Sequence, residues 1–599
     1  MNALFAQALF ASLLLALPAA APPAAMAPSA PAVAADASAA AAPPAPAAAA
    51  AASDPAAPTL SREERHAAAR VSAAAISGAV RFLADDLLEG REPGKRGDEL
   101  ATRFLASELE ALGLQPGAPA PPGQPRSFYQ EVPFVELTAQ VPEFVSFAAK
   151  DGTGPLALRT REGEQAELVL SADAHLDKAV IDHAELVFAG YGIVAPEYGW
   201  DDYKDVDVRG KIVVLLNFNP QFAGEVAGHR VRLWYGRWDY KYLTAAAHGA
   251  IGALIIHTNE SAGYPWRVLS NGAGAESQRL DLPPEPGEPR MQVRGWLRGD
   301  AAEKLVARAG LSLAKLTESA QARSFRATPL GLFTSLSMPI ARHTFESDNV
   351  IGMIPGRDES MRGEAVVYSA HHDHLGQKPP VPPSTDGIYN GALDNASGCA
   401  ALLAIARAAI QSPPRRSLLF LFTTGEEEGL LGARYFAAHP TFPAGRLAAD
   451  INIDVINIFG RTRDLTVLGL GKSSLDETIR AVARAQGRSV HGDAAPDKGE
   501  FYRSDHFALA RVGVPVAAVV GGPDYRDRPA GWGESQLNAW IERNYHQVTD
   551  EYHGDWDLSG AVQDAQLQLL VGLRVANASE LPHWTAGDEF EAIRKAAPR

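Results

Sequence analysis

Between Val366 and Gly432 the chain repeatedly sets charged or imidazole side chains where an apolar run stops. One strand-like run ends in AHHDHLG, and GALDNASG follows. The apolar run Ser417 to Phe422 then ends in TTGEEEGLLG. A strand with no polar face must lie in the middle of a sheet covered on both sides. Charge placed next to such strands is costly unless it is paired or holds a metal. The pattern therefore calls for a covered sheet with a polar site at one end of its strands.

The rest of the C-terminal half fits that sheet. Strand-like segments at 350–353, 365–368, 417–422, 449–453, 465–470 and 514–520 alternate with helical ones at 396–410, 430–438, 474–486 and 558–576. Alternation of this kind predicts an α/β fold, a mostly parallel mixed sheet with helices on both faces. In such sheets ligands bind beyond the carboxyl ends of the strands, where the charged clusters fall.

A chain of 599 residues is expected to hold more than one domain. Residues 1–35 read as a signal peptide, with an apolar run from Ala3 to Leu17 and small-residue cleavage sites around Ala34 and Ala35. Residues 36–59 read as an Ala/Pro-rich linker. Residues 60–142 form the N-terminal part of the main domain. They open on SREE, which has capping-box spacing, and contain an amphipathic helix from Glu99 to Leu112. Residues 143–339 read as an inserted, small β-rich unit, with strands at 184–191, 211–216 and 253–257 and a helical segment at 240–248. Residues 340–599 are the main part of the sheet domain. WYGRWDYKY, from Trp234 to Tyr242, reads either as a packed aromatic cluster or as a rim that meets substrate.

Composition narrows the function. Hydrophobic residues at 46% and charged residues at 21% describe a soluble globular protein. A net charge of −16 opposes nucleic acid as a partner. No stretch after the leader is long and apolar enough to span a bilayer. Cys399 is the single cysteine, so no intramolecular disulfide forms.

The side chains that carry chemistry are His371, Asp373, Asp394, Glu426, Glu427, Asp454 and His506. Histidine and carboxylate without cysteine suit Zn²⁺, or Mn²⁺ or Co²⁺. His371 and Asp373 stand two apart at a strand end and point the same way. His372 and His374 leave the register of HHDH open. Asp394, read locally, is a helix N-cap, and the EEE run is ordinarily a solvated face. Placed together at the ends of different strands, these residues make a dinuclear metal site.

The strings AHHDHLG, GALDNASG, TTGEEEGLLGARYF, NIDVIN and SDHFALARVGVP occur in the order found in the co-catalytic zinc exopeptidases of metallopeptidase family 28, which this sequence resembles. DLLEGREPGKRG and YHQVTDEYHGDWDLSG extend the likeness. GYGIVAPEYGWDDYKDVDVRGKIVVLL and AAHGAIGALIIH resemble a protease-associated domain inserted in many members. The resemblance implies the zinc exopeptidase fold and two Zn²⁺ per chain. His371 and Asp454 would hold one ion, Glu427 and His506 the other, and Asp394 would bridge them. Asp373 would orient His371, and Glu426 would be the general base toward a metal-bound water. Some members use a tyrosine immediately before the last histidine as an oxyanion donor; with His506 in that role the position is Asp505, leaving Tyr502 and Tyr545 as candidates. The implied activity is that of an exported aminopeptidase, periplasmic or secreted, acting on peptides with a free N-terminus. Carboxypeptidase, glutaminyl cyclase and an inactive binding protein on the same fold are the alternatives.

Overall fold

The computed structural model describes residues 59–599 apart from 122, 162, 227, 271–276, 283–289 and 381–384. The expected signal peptide and the linker up to residue 58 lie outside the described residues. The chain enters through a helix, Arg62–Ala68, closed by the expected capping box: Ser61 accepts the Glu64 N–H and the Glu64 carboxylate accepts the Ser61 N–H.

The central sheet is α/β as expected. Ala365–His371 runs parallel to Ser417–Thr423 on one side and to Leu447–Asn452 on the other, and Leu447–Asn452 runs parallel to Val516–Gly521. Asp464–Leu468 adds antiparallel to Val516–Gly521. The side-chain period of two divides the buried strands between two cores. Val366, Tyr368, Leu418, Phe420 and Phe422 face the layer containing the helices Ala73–Leu83, Ser397–Ala409 and Ser559–Asn577. Val367, Leu419 and Leu421 face the layer of Leu431–Ala438 and His506–Ala510. Burial of both faces is why these strands are mostly apolar on both sides, with buried polar residues such as Ser369 bonded to Asp450 and Asn452. Among the described residues no helix is long and apolar enough to cross a membrane.

A second β-rich region precedes this sheet. Ile212–Leu216, Gly252–His257 and Val293–Arg298 lie parallel to one another, with Lys178–Phe188 beside the first. The helix Trp238–Ala247 packs on them. One strand, Thr328–Ile354, joins the two regions. Its first half pairs with Lys178–Phe188 and Phe144–Ala149, and its last residues pair with Ser417–Thr423. The expected boundary between Pro339 and Ile340 therefore falls inside a continuous strand, not in a linker.

Gly432, in the GLLG string, sets how closely the helix Leu431–Ala438 seats on the sheet. A Cβ there would stand 2.3 Å from the Thr424 carbonyl oxygen and from Asn349 Oδ1.

Candidate metal centre

Four of the polar side chains of the site are delivered by the end of a strand or the turn just after one. His371 is the last residue of its strand, Glu426 and Glu427 follow Ser417–Thr423, and Asp454 follows Leu447–Asn452. Asp394 sits in the irregular turn 392–396 that opens the helix Ser397–Ala409. The turn starts at Gly391, whose φ is +54° and whose Cβ, if present, would lie 2.3 Å from the Asp394 carbonyl oxygen. Asp394 is thus no ordinary N-cap, because its carboxylate points away from the helix and into the site.

The contacts centre on Asp394. His371 Nε2 lies 3.3 Å from Asp394 Oδ1 and 3.4 Å from Asp454 Oδ1. On the other side, His546 Nε2 lies 2.9 Å from Asp394 Oδ2 and 3.4 Å from Glu427 Oε2. His374 Nδ1 is 2.7 Å from Glu427 Oε1. Two groups with metal-ligand spacing result, His371 with Glu426 and Asp454, and His374 with Asp394 and Glu427. One carboxylate with an imidazole at each of its oxygens is the arrangement a bridging ligand needs.

One expected ligand, His506, lies apart from the contacts to Asp394. His506 stands outside both groups, with Nε2 2.7 Å from the Phe501 carbonyl oxygen and Nδ1 3.3 Å from the Asn452 amide nitrogen. Burial holds its pKa down to about 4. Both ring nitrogens face protein partners, so neither is directed at the carboxylates. His546 occupies the place expected of it. The residue immediately before the last histidine is then Tyr545, not Asp505. Tyr545 stacks on His546 with ring centroids 3.9 Å apart and lines a small pocket with Asp394, Glu426, Glu427 and Asp454. The other candidate, Tyr502, donates to Glu589 at 2.7 Å.

The HHDH register resolves in space. His372 Nε2 faces the Asp348 carbonyl oxygen at 3.0 Å, away from the site. His371 and His374 both face inward. Asp373 accepts the backbone N–H groups of Glu426 at 3.1 Å and Glu427 at 3.3 Å, while its carboxylate is 3.7 Å from His371 Nδ1, beyond hydrogen-bond reach. Its carboxylate fixes the glutamate turn, and its backbone carbonyl oxygen faces His371 Nδ1 at 3.2 Å. Arg91, from the EGREPG string, is fully buried and donates to the carbonyl oxygens of His372, Asn390 and Gly391 at 2.7, 2.6 and 2.9 Å. It clamps the two site-bearing loops together. Asp550, four residues after His546, accepts the N–H groups of Leu393 and Asp394 at 2.9 and 3.0 Å.

The electrostatics call for cations. Burial, reinforced by neighbouring carboxylates, pushes Glu426 and Glu427 well above the ordinary carboxylate range. Burial also opposes ionisation of Asp394, yet the His371 and His546 contacts hold it well below that range. His546 Nδ1 and His374 Nε2 are buried without a hydrogen-bond partner, and His374 Nδ1 and Glu427 Oε1 have only each other, 2.7 Å apart. Orphaned donor atoms of this kind, around converging carboxylates, fit metal ions of the borderline class.

Among solved structures, the chain is similar to an aminopeptidase from Aneurinibacillus sp. strain AM-1, with 18% identity, a TM-score of 0.44, and 86% of this chain and 97% of that one covered. It is also similar to BSAP, a zinc aminopeptidase from Bacillus subtilis, with 17% identity, a TM-score of 0.38, and 87% and 99% covered. Among curated relatives, a vacuolar membrane protease of Candida albicans (strain WO-1) is 35% identical over 98 residues, which is 16% of this chain and 10% of that protein. Leupeptin-inactivating enzyme 1 of Streptomyces exfoliatus is 28% identical over 175 residues, 28% of this chain and 38% of that enzyme. The match thus spans a tenth of the length of the Candida relative. The family model of peptidase family M28 matches residues 349–570, the segment that supplies every side chain of the cluster from His371 to His546. Residues 349–570 accordingly belong to peptidase family M28.

Proposed function

We propose that the chain is an exported dizinc aminopeptidase that hydrolyses the N-terminal peptide bond of peptides. The observation that carries this reading is Asp394, shared between His371 at 3.3 Å and His546 at 2.9 Å. His371 and Asp454 would hold one zinc ion, Glu427 and His546 the other, with Asp394 common to both. His374 stands beside Glu427 as a further imidazole. Zinc held there supplies Lewis-acid polarisation of the scissile carbonyl and of the attacking water.

Glu426 takes the proton from the attacking water and passes it to the leaving amine. Its turn is held for this by the two N–H bonds to Asp373. The Tyr545 hydroxyl, held neutral because burial raises its pKa well above that of a free phenol, donates to the developing oxyanion. Tyr545→Phe is expected to lower kcat by about 10²–10³ with KM little changed, the scale of losing one oxyanion donor. Steady-state kinetics checks this, and unchanged kcat removes Tyr545 from the mechanism.

Export rests on the apolar run Ala3 to Leu17 and the small residues after it, with the periplasm or the medium as destination. Residues 143–339 are proposed as a protease-associated unit beside the site. The test of the activity is release of leucine from Leu-peptides with free and acetylated N-termini, by metal-replete and chelated protein. Release that requires both metal and a free N-terminus is expected. Equal cleavage of the blocked peptide overturns the aminopeptidase reading.

A further inference from the structure

Beside the catalytic glutamates lies a cavity of about 320 Å³, walled on one side by the β-rich region and on the other by the peptidase sheet domain. Its lining is unusual for a chain with a net charge of −16. Arg232, Arg237, Arg279 and Arg294 reach it from the β-rich side, and Arg434, Arg503 and Arg511 from the peptidase side. Glu426 and Glu427 form part of the same wall.

Seven guanidinium groups line one space and repel one another, and the carboxylates of its wall, Asp239, Glu426, Glu427 and Glu428, are fewer. Arg237 pairs with Asp239 at 3.2 Å, and Arg294 with Asp173 at 3.3 Å. Arg232 donates to the carbonyl oxygens of Asp497, Gly236 and Ser261. Arg279 donates to the carbonyl of its own neighbour Gln278 at 2.6 Å, and Arg511 lies over the Trp234 ring at 5.3 Å. Among the described residues, Arg279, Arg434 and Arg511 have no carboxylate within ion-pair distance, and Arg294 Nε is buried with no hydrogen bond. Burial together with the surrounding arginines holds Arg434 down to about 10. Keeping unpaired guanidinium groups converged costs stability, so the arrangement is explained by an anion that arrives with the substrate. A planar fork of N–H donors matches a carboxylate in geometry as well as charge. Trp238, Tyr242 and Trp296 give the same cavity apolar walls for the peptide chain between the two ends.

We propose that this chamber selects short peptides carrying a carboxylate, which the arginines bind while the N-terminal bond lies at Glu426. This deepens the aminopeptidase reading and rests on it. The carboxylate has two sources, the peptide C-terminus and an acidic side chain, and two matched pairs of substrates separate them: Leu-Ala-Ala against its C-terminal amide, and Leu-Glu-Ala-amide against Leu-Gln-Ala-amide. The carboxylate member of at least one pair is expected to have a kcat/KM about tenfold or more higher, chiefly through KM, as for a hydrogen bond to a charged group. Arg434→Gln and Arg511→Gln are each expected to bring that ratio toward one. Ratios within about twofold of one in both pairs for the unaltered protein overturn the proposal. So does a ratio that both variants leave unchanged. If no peptide is cut, the aminopeptidase reading has failed, and calorimetric binding of Leu-Glu-Glu against Leu-Gln-Gln then decides on the chamber. Tighter binding of the acidic peptide upholds it, and equal binding ends it.

Discussion

Glu426→Gln is expected to keep the full complement of metal and lose about 10²–10⁴ in kcat, the usual worth of a positioned general base. The glutamine fills the same volume in a site where Glu426 is 7% exposed. Its backbone N–H stays bonded to Asp373, so the turn that also carries Glu427 is undisturbed. What disappears is an oxygen able to accept a proton from water and return it to the amine. Metal analysis and steady-state kinetics on the same preparation give the answer. Turnover near that of the unaltered protein would assign the proton transfer to another group.

The second large effect separates two histidines. His546→Ala removes the imidazole 2.9 Å from Asp394 and 3.4 Å from Glu427. One metal per chain is expected to be lost. Activity should fall by more than the about 10–100-fold that an outer partner of a metal ligand costs. His506→Ala, by contrast, removes contacts to Phe501 and Asn452 and is expected to leave both metals bound. Metal content of the two variants is the measurement. If His506→Ala loses the metal and His546→Ala retains it, the ligand set built around Asp394 is wrong.

The contrast between these histidines marks where sequence reading stops. The strands that lead to His371 and Glu427 are legible because both their faces are buried, which makes them largely apolar and makes the charge at their ends conspicuous. Asp394 is legible for the same reason, at the mouth of an apolar helix. His506 precedes a buried strand and looks alike, but its ring turns to the Phe501 carbonyl. His546 follows the helix Trp532–Asn544, far from any strand end, and reaches the site through a return of the chain that no local pattern encodes. The available signal was YHQVTD, a histidine with an aspartate four residues on. In the fold Asp550 holds the loop of Asp394 while His546 faces its carboxylate. The WYGRWDYKY string is in part the expected packed aromatic cluster. Trp234 packs against Tyr240, Phe507 and Phe590, while Trp238 and Tyr242 line the chamber.

The strand Thr328–Ile354 makes the chamber a fixed gauge. Hinged enzymes close because a few residues between lobes absorb a change in backbone angles. Here the passage from one lobe to the other is itself a ladder, with Ile340 opposite Ala139 through to Val350 opposite Tyr129. Bending it would break those bonds in register. The gap between the arginine-bearing walls is therefore set when the protein folds, like the jaws of a locked calliper, and under the proposed function a peptide would be measured against it without the jaws having to move.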